Sequence, residues 1–314
     1  MSEATEKIAG PAFGGARREG LDAARRFRLP FGRQTWRGAA GGWQGAGAGS
    51  SIDFQDHRAY APGDDPRHFH WAAYARTGQL TMKLYRAEVS PLVDLMVDAS
   101  ESMRGESGRA ARTEALVAFC LESATRAGAP ARLYAVEGRR VRVLSVERAR
   151  AEGFWAAEGA GSKERGAGST EAEAESRAGR PCHDGMGRMP WRAGAMKVWV
   201  SDLLFPGEPG AVLNAMAAGG GCALVFAPVL AAEAGLAERG NVELVDREGG
   251  AGRRQRIDDA LAERYRAAYA RHFSLWREAA KRAAVGFARV DCAGALTGEL
   301  AGEARLRGVV EALA

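Results

Sequence analysis

Three observations predict an α/β fold for this sequence: a doubly wound, mostly parallel sheet with helices on both faces. From Pro91 onward, short apolar runs alternate with longer amphipathic ones, the pattern of strands joined by crossover helices. The first such run, Pro91–Val97, is apolar almost throughout, as a strand covered on both faces requires. It ends in Asp98-Ala99-Ser100-Glu101-Ser102, a carboxylate and two hydroxyls at the carboxyl end of a central strand, where open α/β sheets place ligands.

The elements follow in order. Residues 1–90 read as an N-terminal elaboration, of which 1–50 is basic and partly flexible, and 91–314 as the α/β domain. Residues 16–40 carry Leu21, Ala24, Phe27 and Arg28 at helical spacing, stopped by Pro30. Gly38–Ser51 is rich in Gly and Ala and reads as a loop. Pro62-Gly63-Asp64-Asp65-Pro66 is a turn in which Pro fixes φ, Gly supplies positive φ and Asp caps. Leu80–Tyr85 alternates enough for a strand.

Further strands are expected at Leu92–Val97, Arg132–Val136, Val141–Val146, Met196–Ser201, Ala223–Val229 and Phe287–Val290. Helices are expected at Arg109–Arg126, Pro209–Ala218, Asp258–Ala284 and Leu296–Leu313. The third carries Leu261, Tyr265, Tyr269, Phe273 and Trp276 in steps of three and four, a core stripe. Residues 151–195 are Gly, Ala, Glu and Ser with scattered charge and read as a flexible insertion.

Composition excludes several classes. With 314 residues, 46% of them hydrophobic, a sizeable core is available, and no apolar run reaches membrane-spanning length. Met1–Gly15 lacks the basic start and apolar stretch of a secretory signal. Cys120, Cys182, Cys222 and Cys292 are scattered with no Cys-x-x-Cys pair, against structural zinc and in favour of a reduced, cytoplasmic protein. Residues 1–50 hold eight basic side chains against four acidic ones, most of the chain's net +5. Such an arm could meet an anionic surface, but aromatics for base stacking are sparse, so a solvated or partner-facing segment is expected and nucleic acid is not.

The chemistry concentrates on the Asp98 loop. Asp98, Ser100 and Ser102 are hard oxygen donors of the kind Mg²⁺ takes, and Asp202, at the end of a later strand, would approach the same ion. Equally, Asp98 and its serines could simply order their own loop. Enzyme motifs are missing: Asp98–Gly108 supplies no Gly-x-Gly-x-x-Gly, and there is neither a phosphate-binding Gly-x-x-x-x-Gly-Lys-Ser/Thr loop nor a Gly-x-Ser-x-Gly elbow. A Mg²⁺-dependent, phosphatase-like enzyme using Asp98 is the main alternative. There a second Asp two residues on acts as general acid, and Ser100 in its place cannot do so at neutral pH. His68 and His70 share a strand face if extended, but no Cys or third His lies near them.

A longer series of motifs precedes and follows the Asp98 loop. Asp53-Phe54, Arg58-Ala59-Tyr60, Pro62-Gly63-Asp64-Asp65-Pro66-Arg67, Trp71, Ala75-Arg76 and Lys83 come before it. Val200-Ser201-Asp202-Leu203-Leu204 and Asn241–Asp246 come after it. Over roughly residues 35–314 this order resembles the bacterial MoxR-associated family called domain of unknown function fifty-eight, whose members carry a von Willebrand factor A-like domain. One departure is His70, where the family commonly has Asp before the Trp. The resemblance implies a divalent-metal-dependent adhesion-type site: Mg²⁺ on Asp98, Ser100, Ser102 and Asp202, plus a Thr from the loop between the first and fourth strands. Thr170 occupies that region, with Thr113 as the substitute if its helix begins near the site. It further implies a non-enzymatic interaction or adaptor module, partnering a MoxR-type AAA+ ATPase in chaperone-like assembly or maturation of client proteins. Arg58, Asp64, Asp65 and Arg67 would form buried pairs bracing an irregular segment, or, with Asp53, Tyr60, Trp71, Arg76 and Lys83, a partner surface.

Overall fold

The computed structural model describes residues 13–33, 36, 40–105, 107–138, 140–163, 189–205, 207–245 and 252–313. Its centre is a six-stranded sheet in the order β11–β8–β7–β4–β5–β6. The strands are β4 (Val93–Asp98), β5 (Ala131–Glu137), β6 (Arg140–Leu144), β7 (Met196–Val200), β8 (Cys222–Val229) and β11 (Gly286–Asp291). All neighbours are parallel except β5 and β6, which form an antiparallel edge. The fold is the doubly wound α/β sheet that the apolar runs predicted.

Side-chain alternation along β4 divides the core. Val93, Leu95 and Val97 face a layer that includes Phe119 of α4 (Ser107–Arg126), while Met96 faces the layer of Phe273 and Trp276 on α8 (Asp259–Arg282). A short helix α3 (Glu101–Gly105) precedes α4, and α7 (Pro209–Ala217) leads into β8. Buried charges in this body have partners. Asp94 accepts from the backbone and side-chain nitrogens of Arg192, each at 2.7 Å. Lys197 Nζ donates to Met216 O at 2.9 Å and to Ala218 O, satisfying carbonyls at the end of α7.

The N-terminal residues are built into this body. Helix α1 (Gly14–Ala23) lies against α4, and β1 (Phe27–Arg28) pairs antiparallel with β12 (Glu311–Ala312). The helical reading of 16–40 is thus too long: Phe27 and Arg28 are strand, because their backbone is taken by the far end of the chain. Similarly, the helix expected over Leu296–Leu313 covers only α9 (Leu296–Glu299) before a wide turn, where Gly302 leaves helical geometry. The chain then turns back to meet β1.

Two further readings change. Gly38–Ser51 is not a loop beyond residue 39, because Ala40–Ala59 forms β2, paired through several register shifts with β3 (Thr81–Val89). Part of 151–195 is packed. After α5 (Val146–Glu152), α6 (Phe154–Lys163) buries Phe154 and Trp155, and Met189 is buried farther on. A second small hairpin, β9 (Gly240–Val245) with β10 (Gly252–Ile257), precedes α8. Among the described residues no helix is long and apolar enough to cross a membrane.

Candidate functional site

Strand register creates the site. The parallel pairing of β4 with β7 sets Val97 beside Val200, so Asp98 and Ser201 leave the sheet side by side. From this pair the chain crosses over to β5 on one side and β8 on the other. That is the switch point of a doubly wound sheet, where a crevice opens beyond the carboxyl ends of the strands.

The two loops are joined there. Ser201 Oγ donates to Asp98 Oδ2 at 2.8 Å and accepts from Leu203 N at 3.1 Å. Asp98 Oδ1 accepts from Ser100 N at 3.0 Å, a local turn of the kind Asp favours. Ser100 Oγ and Ser102 Oγ lie 3.1 Å apart and share a hydrogen bond. Asp202 Oδ1 accepts from Leu204 N at 3.0 Å. Between them, Leu203 holds a φ of +61°, a left-handed conformation costing a β-carbon residue roughly 1–2 kcal/mol. Its carbonyl lies 2.8 Å from His272 Nε2 on α8.

The electrostatics are those of buried acids in one crevice. Burial, and then the neighbouring Asp202 carboxylate, push the Asp98 carboxyl up to about 6, against the hydrogen bonds from Ser100 and Ser201 that pull it down. Asp202 has a cationic partner that sequence reasoning missed. Arg109, in the first turn of α4 and 2% exposed, donates from Nη1 to Asp202 Oδ2 at 2.9 Å and to Ser102 O at 2.9 Å. Its Nη2 donates to Glu233, in the short turn after β8. No motif flags Arg109 or Glu233, because their meeting depends on the crossover connections and not on spacing. Ser201 was visible only as part of the Ser-Asp motif.

The donor set suits a hard divalent cation. It offers oxygen alone, from carboxylates and hydroxyls, as Mg²⁺ prefers. The 3.1 Å between the serine hydroxyls is close to the ~3.0 Å separating adjacent vertices of an octahedron with Mg–O bonds of about 2.1 Å. Among the described residues no group of three His, Cys, Asp or Glu side chains is placed to hold a metal, so any such ion would depend on the serines. Thr170 and Cys182 lie outside the described residues. Thr113, on α4 one turn beyond Arg109, is fully buried, and its Oγ1 has no hydrogen-bond partner among the described residues.

A family model, "Protein of unknown function DUF58", matches residues 56–274. The chain belongs to the DUF58 family. The match runs from the tip of the β2–β3 hairpin to α8 and so includes Asp98, Ser100, Ser102, Arg109, Asp202 and Glu233. No curated protein matches this DUF58 chain in sequence. A crystal structure of the conserved hypothetical protein BatB from Bacteroides thetaiotaomicron aligns with 69% of this chain and 98% of its own, at 14% identity and a TM-score of 0.34. A likeness at that level does not bear on function.

The remaining signature residues of this DUF58 member sit away from the crevice. They cluster at the hairpin tip, around α2 (Trp71–Thr77). Arg58 grips Asp64 with both terminal nitrogens, one of the bonds being 2.7 Å to Oδ2, and Asp64 also accepts from Ala61 N at 2.8 Å. Asp65 caps a single 3-10 turn, accepting from the Arg67 backbone and side chain, whose bonds hold its carboxyl down at about 2. These pairs are at the surface, not buried as the sequence reading expected. Tyr60, Phe69, Trp71 and Tyr74 form an edge-to-face aromatic chain, with Trp71 60% exposed. The His70 ring lies 4.6 Å from that of His57 and is tilted 33° to it; burial first, then the charges of His57, Lys83 and Arg76, hold the His70 imidazole below its usual pKa. The side chain of Asp53 lies outside the described residues.

Proposed function

We propose that this DUF58 protein is a non-enzymatic interaction module that docks a partner protein at the carboxyl-edge crevice, through a divalent-metal-dependent adhesion-type site. One observation carries the reading: the register of β4 and β7 brings Asp98, Ser100, Ser102 and Asp202 to one switch point. Asp98, Ser100 and Ser102 would hold Mg²⁺, with Asp202 facing it from the second loop. With two neutral hydroxyls among its ligands, a bound ion would keep residual positive charge and attract a carboxylate of the partner. The work of the chain itself is positional. Ser201 orients Asp98, the backbone of Ser100 and Leu204 fixes one oxygen of each acid, and the doubly wound sheet sets both loops at one edge.

The resemblance to MoxR-associated proteins makes a MoxR-type AAA+ ATPase the partner to test, with assembly or maturation of client proteins as the shared task. Binding of the purified chain to its cognate ATPase should be measured with and without Mg²⁺, in each nucleotide state. We expect Mg²⁺-dependent binding that Asp98→Ala abolishes. No affinity in any state would sink the partnership. Hydrolysis of simple phosphate esters that disappears in Asp98→Asn would instead favour the phosphatase-like alternative.

A further inference from the structure

We propose that Arg109 is the resident cation of this crevice: it bridges the two loops that a divalent ion would otherwise join, and such an ion gains Asp202 only as Arg109 leaves it. The proposal rests on the metal-type reading above but makes a separate claim about sign.

The geometry is specific. A single nitrogen, Nη1, reaches Ser102 O in the Asp98 loop and Asp202 Oδ2 in the β7 loop, both at 2.9 Å. That is the bridging task otherwise left to an ion. Nη2 is held from behind by Glu233, so the guanidinium spans three elements. A planar fork of fixed donors suits this better than an ammonium would. With Leu204 N on the remaining oxygen, both oxygens of Asp202 are engaged before any ion arrives. Arg109 is 2% exposed, and two cations brought together in so desolvated a crevice repel strongly. Without Arg109, Asp202 and Glu233 lose the cation they share beside Asp98, and a divalent ion held by Asp98 and the serines no longer meets a like charge. If Arg109 merely braced Asp202 for the ion, its loss would weaken metal binding. If it competes, its loss strengthens it.

Titration calorimetry of the full chain with Mn²⁺ and Mg²⁺ distinguishes the two, using wild type, Arg109→Gln, Asp98→Ala and the double variant, each checked for native circular dichroism. The expected result is Mn²⁺ binding tightened about tenfold or more in Arg109→Gln, as removal of a close like charge predicts, and lost again in the double variant. The melting temperature of Arg109→Gln should also rise with Mn²⁺ more than that of wild type. Unchanged or weaker binding in Arg109→Gln, with wild-type binding intact and Asp98-dependent, overturns the proposal and leaves the metal site standing. No binding in either folded protein overturns both. Arg109→Gln that folds only with Mn²⁺ present supports the proposal. If it folds in neither condition, a wild-type crystal grown with Mn²⁺ decides. Arg109 turned away from Asp202 beside a bound ion supports competition; ion and Arg109 together on Asp202 refute it, and a crevice holding no Mn²⁺ removes the metal reading as well.

Discussion

Glu114 is a buried carboxylate with a structural task. It sits on α4, and its two oxygens accept from Phe154 N at 3.0 and 2.9 Å, while Oε2 also takes Trp155 N at 3.3 Å. It therefore caps the start of α6 from another helix and leaves those amides no need of water. Gly153, at φ +104°, lets the chain pass, since a Cβ there would meet Glu114 Oε1 at 2.7 Å. Glu114→Ala should cost about 2–3 kcal/mol by stranding buried donors, read as a shift in the urea midpoint. Burial outweighs those bonds and raises the Glu114 carboxyl above its usual 4.5. The folded state therefore holds its proton more tightly than the unfolded one. This residue's contribution is greatest below pH 4.5 and falls as pH rises from there through its folded value. Glu114→Gln should remove that slope, and a pH series of unfolding curves that keeps it would refute the assignment. Neither Glu114 nor Lys197 announces its partner in the sequence. Lys197, a lone charge inside an apolar run, signals burial, whereas Glu114 follows Arg112 and Thr113 and gives no such sign; which backbone each serves is decided by helices that meet only after folding.

Between elements, α1 packs closely on α4. A Cβ on Gly20 would come within 2.1 Å of Ala115 O and 2.9 Å of the Ala118 methyl, so the two helices meet backbone to backbone. Gly20→Ala is expected to destabilise by about 1–3 kcal/mol through forced separation, and a melting temperature equal to wild type would count against this packing. The strands of the central sheet were legible to within a residue or two, because their apolar runs are continuous and bounded by Gly, Pro and charge. The expected end of β6 at Val146 runs two residues past Leu144, because Val146 is drawn into α5 by the N-cap of Ser145, whose Oγ accepts from Arg148 N at 3.0 Å. Elements whose stability comes from distant pairing were not legible. β1 has two residues and no pattern of its own, and β2 is poor in strand formers and rich in Gly and Ala. Phe154 and Trp155 stand in a Gly/Ala/Glu-rich stretch that hides an anchored helix start.

At the scale of the molecule, a packed α/β body carries a hairpin whose tip contacts chiefly itself, through β3 with α2 and with the 3-10 turn at Pro66. No residue of α2 is buried. Trp71→Ala should therefore change global unfolding by no more than ~0.5 kcal/mol, as for an exposed substitution without a buried partner; a larger loss would mean that the tip packs on the body in solution. The crevice was legible in part. Asp98, Ser100, Ser102 and Asp202 were readable as motifs at strand ends, and register alone brings them together. Arg109 and Glu233 were not, since nothing local distinguishes them from surface charges. The pairing of β1 with β12, closed by Leu313 N on Arg26 O at 2.8 Å, has a consequence for synthesis. Phe27 and Arg28 leave the ribosome long before Glu311 and Ala312, the strand that completes them. The nascent chain must hold α1 and β1 without their seal until β12 emerges, so the closing step couples contacts of very large sequence separation, the slow kind. Ribosome-stalled chains ending before Val309 should be nicked by protease near Arg25 and Arg26, at sites that the released protein protects.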